Sequence, residues 1–301
     1  MAKLPELIQA AWQQRALLHA AAGQNTYRIL HGFSEGMPGL NIDRYAGAAL
    51  ISHPAALCAD LEAITAALLN CHPFDLIVSR PHKESAKILR GAAPATSLEV
   101  LDNHIKFYCE PLAANPGLYL DARPARAWLK QHSEGRRILN LFAHTGSLGL
   151  AACVGRARSA LHVDTQKRSL RRIRDNYRLN NLRLDDRDLV GKNVFTYLRQ
   201  SSAQFDGIIL DPPPRLPRLG QETTKDQNFQ SLIPAVLDRL APGAWLLCFF
   251  HRNAPQYLST PADIEKLSPQ PLSLLWTATS GDDFPETDPR AKLRFAVYQL
   301  A

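Results

Sequence analysis

The run Phe205-Asp206-Gly207-Ile208-Ile209-Leu210-Asp211-Pro212-Pro213 carries one carboxylate to the end of an apolar stretch and stiffens the backbone behind it. The two prolines fix φ and remove two amide donors. A carboxylate in that position needs a partner or water. A tight turn would use similar residues, but Asp-Pro-Pro directly after a buried strand is a specific signal. Two further runs are of the same kind. Leu139-Asn140-Leu141-Phe142-Ala143-His144-Thr145-Gly146-Ser147 reads as a strand, a short turn with one glycine, then a helix. Glycine there lets a ligand or another backbone approach closely. His162-Val163-Asp164 follows, with Asp164 18 residues after Gly146. A carboxylate at a strand end can accept both hydroxyls of a ribose. It can equally cap the helix that begins near Gln166, and the two roles are compatible. One glycine where a dinucleotide fold wants three makes a nicotinamide enzyme the poorest reading.

These residues need elements that gather them. Helix is expected at 124–132, 147–154, 166–180, 194–200 and 229–240. Strand is expected at 137–142, 159–163, 188–192, 205–210 and 244–250, with a terminal strand at 292–300. Strands alternating with helices imply a mostly parallel sheet covered on both faces, whose ligands bind at the carboxyl ends of the strands. Residues 1–114 read differently: helices at 4–22 and 56–69, short strands at 27–31, 41–43, 48–53 and 75–79, and a hairpin at 98–110. The expected organisation is a small α+β domain over 1–114, in contact with substrate, followed by an α/β domain over 115–301.

Composition bounds the class. The chain has 301 residues, 46% apolar and 21% charged, enough to bury a sizeable core. No apolar run approaches the ~20 residues of a membrane span. Polar residues interrupt the N-terminal helix, so it does not read as a signal peptide. The cysteines Cys58, Cys71, Cys109, Cys153 and Cys248 are scattered and odd in number, without a C-x-x-C pair. That argues against a disulfide framework or a zinc site, so no metal is expected, and it fits a reducing cytoplasm. The net charge of +7 is uneven: residues 1–114 carry −1 and residues 115–301 carry +8. Arg156 to Arg199 holds 12 basic and 5 acidic residues. This is either a solvated helix face or a footprint for a polyanion. Leu170, Ile173 and Tyr177 form the apolar stripe of one helix, so several of Arg168, Arg171, Arg172, Arg174 and Arg178 must face outward.

The strand-end runs together resemble class I S-adenosylmethionine-dependent methyltransferases, whose fold is Rossmann-like with an added C-terminal antiparallel strand. Further segments are similar to the bacterial 23S rRNA methyltransferases RlmI and RlmK. They are Tyr27-Arg28-Ile29-Leu30-His31-Gly32, Gly36-Met37-Pro38-Gly39-Leu40-Asn41-Ile42-Asp43-Arg44-Tyr45, Gly117-Leu118-Tyr119-Leu120-Asp121-Ala122-Arg123, Asn176-Tyr177-Arg178-Leu179-Asn180 and Lys292-Leu293-Arg294-Phe295-Ala296-Val297-Tyr298. RlmI-type proteins carry an RNA-binding PUA domain before the region that the resemblance covers, and none is expected within these residues.

The resemblance implies S-adenosyl-L-methionine as cofactor. Phe142, Thr145, Gly146 and Ser147 would cradle its methionine part, Asp164 its ribose and Asn193 its adenine amine through the amide carbonyl. Asp121 and Arg123 would flank its pocket, with Ala122 standing where the family has glutamine. Asp211, Pro212 and Pro213 would border the methyl group and the target base, with His251 beside them. Arg168, Arg171, Arg172, Arg178 and Arg215 would hold RNA. Cytosine carbon-5 chemistry needs a thiolate. Cys248 lies two residues before the family's cysteine and is expected to be an inert buried thiol, so a ring nitrogen is the better target. The expected function is methylation of a 23S rRNA base. The alternatives are a methyltransferase of protein or small molecules, and a catalytically weak RNA-binding or ribosome-assembly protein. The sequence does not fix the oligomeric state; a homodimer is compatible with it.

Overall fold

The computed structural model describes residues 4–213, 229–250, 261–288 and 291–300. The chain divides into two compact units. One comprises Met1–Arg123 with Gly281–Pro289, and the other Pro124–Ser280 with Arg290–Ala301.

In the first unit, α1 (Leu4–Gln14) and α2 (Ala16–Ala20) precede β1 (Thr26–His31), β2 (Asn41–Tyr45) and β3 (Ala48–His53). Then come α3 (Leu61–Cys71), β4 (Leu76–Pro81), β5 (Lys87–Arg90) and the hairpin β6 (Leu98–Asp102) with β7 (Ile105–Cys109). The strands form one sheet in the order β1-β2-β3-β4-β5, with the hairpin separate. β3 and β4 are parallel, joined through α3; the other pairs are antiparallel. Ile8 and Ala11 of α1 and Ile64 and Leu68 of α3 pack on Tyr27, Ile29, Ile42 and Ile51 of the sheet. The helix expected over 4–22 breaks at Arg15. Its side chain is buried and turns inward to pair with Glu35, which leaves Leu17 exposed.

The division falls after Arg123 instead of near residue 114. The guanidinium of Arg123 is bound to two carboxylates of the first unit, Asp102 (3.2 Å) and Asp283. The segment Gly281–Pro289 belongs there for the same kind of reason. The Asp283 carboxylate accepts the Arg28 N–H (3.0 Å), Phe284 lies under the Arg28 guanidinium (4.5 Å) and Glu286 pairs with His31 (2.8 Å).

The second unit runs α4 (Arg123–His132), β8 (Arg137–Leu141), α5 (Ser147–Val154), β9 (Ser159–Val163), α6 (Lys167–Leu179), β10 (Leu189–Val190) and α7 (Val194–Gln200). β11 (Phe205–Leu210), α8 (Phe229–Leu237), β12 (Leu240–Phe250), α9 (Pro261–Leu267), β13 (Leu272–Thr279) and β14 (Arg294–Leu300) follow. The sheet order is β10-β9-β8-β11-β12-β14-β13. β8 to β12 are parallel, and β14 runs antiparallel between β12 and β13. This is a Rossmann-like mixed sheet with the expected antiparallel terminal strand. Leu139, Leu141, Ile208, Leu210, Leu246 and Cys248 fill its core, which is why the central strands read as continuous apolar runs. α6 buries Ile173 and Tyr177 and turns Arg168, Arg171 and Arg178 outward. Among the described residues no helix is long and apolar enough to cross a membrane.

Candidate methyltransferase site

The strand order reverses at β8, which has β9 on one side and β11 on the other. Leu141 pairs with both Val163 and Leu210. The next residues, Phe142, Asp164 and Asp211, therefore leave the sheet at one level and at one edge. This is the switch point where open α/β sheets bind ligands.

The turn between β8 and α5 has an unusual backbone. Phe142, His144 and Gly146 have φ of +57°, +48° and +77°. The left-handed region costs a side-chain-bearing residue about 1–2 kcal/mol, so two of the three positions are strained. Surrounding bonds hold them. Ala143 N–H donates to Val163 O (3.0 Å), and His144 N–H donates to the Asp164 carboxylate (2.7 Å). Gly146 N–H donates to Ala143 O (2.7 Å), and buried Asn176 Nδ2 donates to Thr145 O (3.1 Å). A Cβ at Gly146 would sit 2.7 Å from Ile173 Cγ1, so glycine is also required for α6 to pack. Ser147 then opens α5, and the first N–H groups of a helix favour an anionic group.

A buried polar chain lies behind the turn. Asn140 Nδ2 donates to His162 Nδ1 (3.2 Å), His162 Nε2 meets the Tyr177 hydroxyl (2.9 Å), and that hydroxyl donates to Cys153 Sγ (3.2 Å). Burial pushes His162 down to about 3, so the ring is neutral at physiological pH. A Cβ at Gly149 would lie 2.4 Å from His162 Cε1, so a glycine in α5 leaves room for the ring. The chain ties β8, β9, α5 and α6 together. His144 lies nearer the edge. Burial lowers its imidazole below the usual value, while Asp164 and Asp211 pull it the other way.

The S-adenosylmethionine-dependent methyltransferase family matches residues 55–299. The chain belongs to that family. Among curated relatives, it is 30% identical over 256 residues to the ribosomal RNA large subunit methyltransferase I of Yersinia pseudotuberculosis serotype O:1b (strain IP 31758). The match covers 80% of this chain but 65% of that protein's length. Among solved structures, a protein from Streptococcus mutans described as a SAM-dependent methyltransferase superposes with a TM-score of 0.87 at 22% identity. It covers all of this chain and 83% of that one. The tRNA methyltransferase of M. jannaschii superposes with a TM-score of 0.60 at 13% identity, covering 87% and 76%. At these identities the two structural likenesses concern the fold.

Several residues fit the methyltransferase cofactor by their chemistry. Each Asp164 oxygen accepts one backbone N–H, from His144 (2.7 Å) and Gln166 (2.8 Å). A carboxylate has about four acceptor positions, so one remains on each oxygen for a pair of ribose hydroxyls. Asp164 is not the helix cap that was the other expectation: Gln166 stands at the N-cap of α6, and Asp164 accepts that residue's N–H from two positions before it. Phe142, Thr145, Gly146 and Ser147 form the turn just described, and Asp211, Pro212 and Pro213 follow β11 at the same edge.

Three expectations need correction or limits. Asn193 was expected to offer its amide carbonyl to adenine. Instead that oxygen caps α7, accepting from Phe195 N–H (2.9 Å) and Thr196 N–H (3.3 Å), which leaves the amide nitrogen as the group to offer. Arg123, expected to flank the cofactor pocket, has its guanidinium bound to Asp102 and Asp283. Asp121 lies in the same unit, in a short 3-10 turn, near enough to Arg28 to act on its charge. His251 and Arg215 lie outside the described residues. Arg168, Arg171 and Arg178 are exposed and Arg172 is half-buried. Cys248 is fully buried between Leu210 and Ala296, and burial pushes its thiol far up. It is the inert thiol expected.

Sequence reasoning passed over His144, His162 and Asn176 as site-building residues. Asn176-Tyr177 was visible as a family-like segment, but its bond to Thr145 bridges 31 positions. The left-handed backbone at Phe142 and His144 leaves no trace in residue type, because neither is glycine.

Proposed function

We propose that this chain is a cytoplasmic methyltransferase that transfers a methyl group from S-adenosyl-L-methionine to a base nitrogen of 23S rRNA. The cofactor supplies a methyl carbon already made electrophilic by the sulfonium, so the protein mainly aligns the acceptor and excludes water. Asp164 would hold the ribose hydroxyls. The turn at Phe142–Ser147 and the start of α5 would receive the methionine part. Asp211, Pro212 and Pro213 would wall the target base, stiffened by the two fixed φ angles. Flipping the base out of its stack would expose the nitrogen to the methyl. Cys248 offers no route through a covalent adduct, because an apolar core withholds the thiolate that carbon-5 attack requires.

The observation that carries the reading is the common edge at which Phe142, Asp164 and Asp211 leave three strands held in register. The rRNA substrate is supported by the relation to the large-subunit methyltransferases and by the outward face of α6. Arg168, Arg171 and Arg178 would hold the phosphate backbone, with Arg172 contributing from a half-buried position. In that case, changing Arg168, Arg171 and Arg178 to alanine lowers the magnitude of the salt slope of RNA binding by about 0.7–0.9 per arginine.

The deciding experiment compares rRNA from a strain lacking this gene with rRNA from its parent by mass spectrometry. The reading expects one missing methyl group on 23S rRNA. An unchanged 23S map with a lost methyl in the tRNA pool would move the substrate to tRNA, on which the fold-related M. jannaschii enzyme acts.

A further inference from the structure

We propose that His144 is a catalytic residue of this site, accepting the proton released when the target is a nitrogen that carries hydrogen, such as an exocyclic base amine. The inference rests on the methyltransferase reading and narrows the acceptor atom within it.

His144 occupies the middle of the turn from β8 to α5, in a left-handed conformation uncommon for residues other than glycine (φ +48°). Its backbone N–H is fixed to the Asp164 carboxylate at 2.7 Å, which sets where the side chain starts. Two carboxylates act on the ring. Asp164 comes from the end of β9 and Asp211 from the end of β11, and Thr145 Oγ1 lies 3.5 Å from Nδ1 within the turn itself. The turn thus brings His144 to the sheet edge at which those two acids leave their strands. Strained backbone holding a titratable side chain at a ligand edge is the kind of arrangement that structure elsewhere must compensate. Here Asn176, Val163 and Asp164 do so.

The chemistry balances within this group of residues. The nitrogen lone pair forms the new bond to the methyl carbon while the carbon–sulfur bond breaks and its electron pair stays on sulfur. The methylated nitrogen then carries one proton too many, and the neutral His144 ring takes it. One positive charge disappears at sulfur and one appears on the imidazole, so Asp164 and Asp211 face the same local charge before and after. Product release lets the imidazolium return its proton to water. A ring nitrogen without hydrogen, such as guanine position 7, would need no such acceptor. Burial keeps the ring neutral at physiological pH, the form that can accept.

The test uses the intact chain, the variant His144→Asn and [methyl-3H]S-adenosylmethionine. The RNA is 23S rRNA extracted from a strain lacking this gene. Asparagine tolerates positive φ and hydrogen-bonds without acting as a base at neutral pH. The expected single-turnover rate of the parent falls as pH drops below the His144 value, which lies under 6.5. The variant loses about 100-fold or more and loses that acid limb, while S-adenosylhomocysteine binding by calorimetry stays within about threefold. A variant rate within about fivefold of the parent, with the acid limb retained, overturns the proposal. A separate readout needs no turnover: NMR titration of the His144 ring in the S-adenosylhomocysteine complex. Asp211→Asn removes a carboxylate that raises the ring, so His144 is expected to titrate at lower pH in that variant. If the parent labels no RNA, the rRNA reading falls and the titration decides for His144. A ring unmoved by Asp211→Asn overturns its assignment.

Discussion

Asn193 illustrates how one atom can serve either a helix or a ligand. Its side-chain oxygen accepts from two backbone N–H groups at the start of α7. Asparagine and aspartate cap helices about equally well, but the carboxylate has a second oxygen to spare. Asn193→Asp is therefore expected to keep α7 intact and tighten S-adenosylmethionine binding roughly fivefold, or about 1 kcal/mol for one charge-assisted bond. Calorimetry on the two proteins reads this directly, and an unchanged or weaker affinity would remove Asn193 from the adenine end. Gly146 makes the opposite point, because there the missing atom matters. Its φ of +77° and the 2.7 Å approach to Ile173 Cγ1 predict that Gly146→Ala costs about 1–3 kcal/mol in urea unfolding. Adding Ile173→Val should recover part of the loss, since it shortens the side chain that α6 presents to the turn.

The elements of the second unit were largely legible because the central strands are apolar runs ended by turn residues, and the helices carry one apolar face or, in α5, are apolar almost throughout. The strand ends at Val163 and Leu210 could be read directly; the end of β8 at Leu141 was read one residue late, which put Phe142 inside the strand instead of at the sheet edge. Two edge strands were not legible. β13 has a register shift between Leu274 and Trp276, with Leu274 and Leu275 half exposed, so no alternation marks it. β5 has four residues, all exposed, and its pairing with β4 leaves no hydrophobic pattern. Interactions between elements were hidden for a different reason: they join residues far apart in sequence. The His162 chain is the clearest case, and it has a consequence for pH. Its folded value is about 3, below the 6.5 of an unfolded histidine. Between those values the unfolded chain binds more protons, so stability is lost as pH falls below 6.5. The slope from this one group is at most about 1.4 kcal/mol per pH unit. His162→Gln should be less stable at pH 7 yet flatten the acid slope of urea unfolding between pH 6.5 and 4. An unchanged slope would show that the ring does not stay neutral in the folded protein.

At the scale of the whole molecule, the chain passes between its two units at Arg123/Pro124, Ser280/Gly281 and Pro289/Arg290. The expected boundary near residue 114 missed this, because nothing local in Gly281–Pro289 announces which core it joins. Asp283 is fully buried and receives Arg123 and the Arg28 N–H, while its carbonyl accepts from Arg15 (3.1 Å). Removing one partner of a buried pair strands the other, so Asp283→Asn should destabilise the first unit by about 3 kcal/mol. Amide hydrogen exchange should rise in β1 before it rises in β8 to β12. Uniform exchange across both units would contradict that. The carboxylate that closes this cluster lies 160 positions after Arg123. During synthesis Arg123 therefore leaves the ribosome long before Asp283, one of its two counter-charges, is made. A nascent chain stalled before residue 281 would therefore carry the first unit without its buried Asp283.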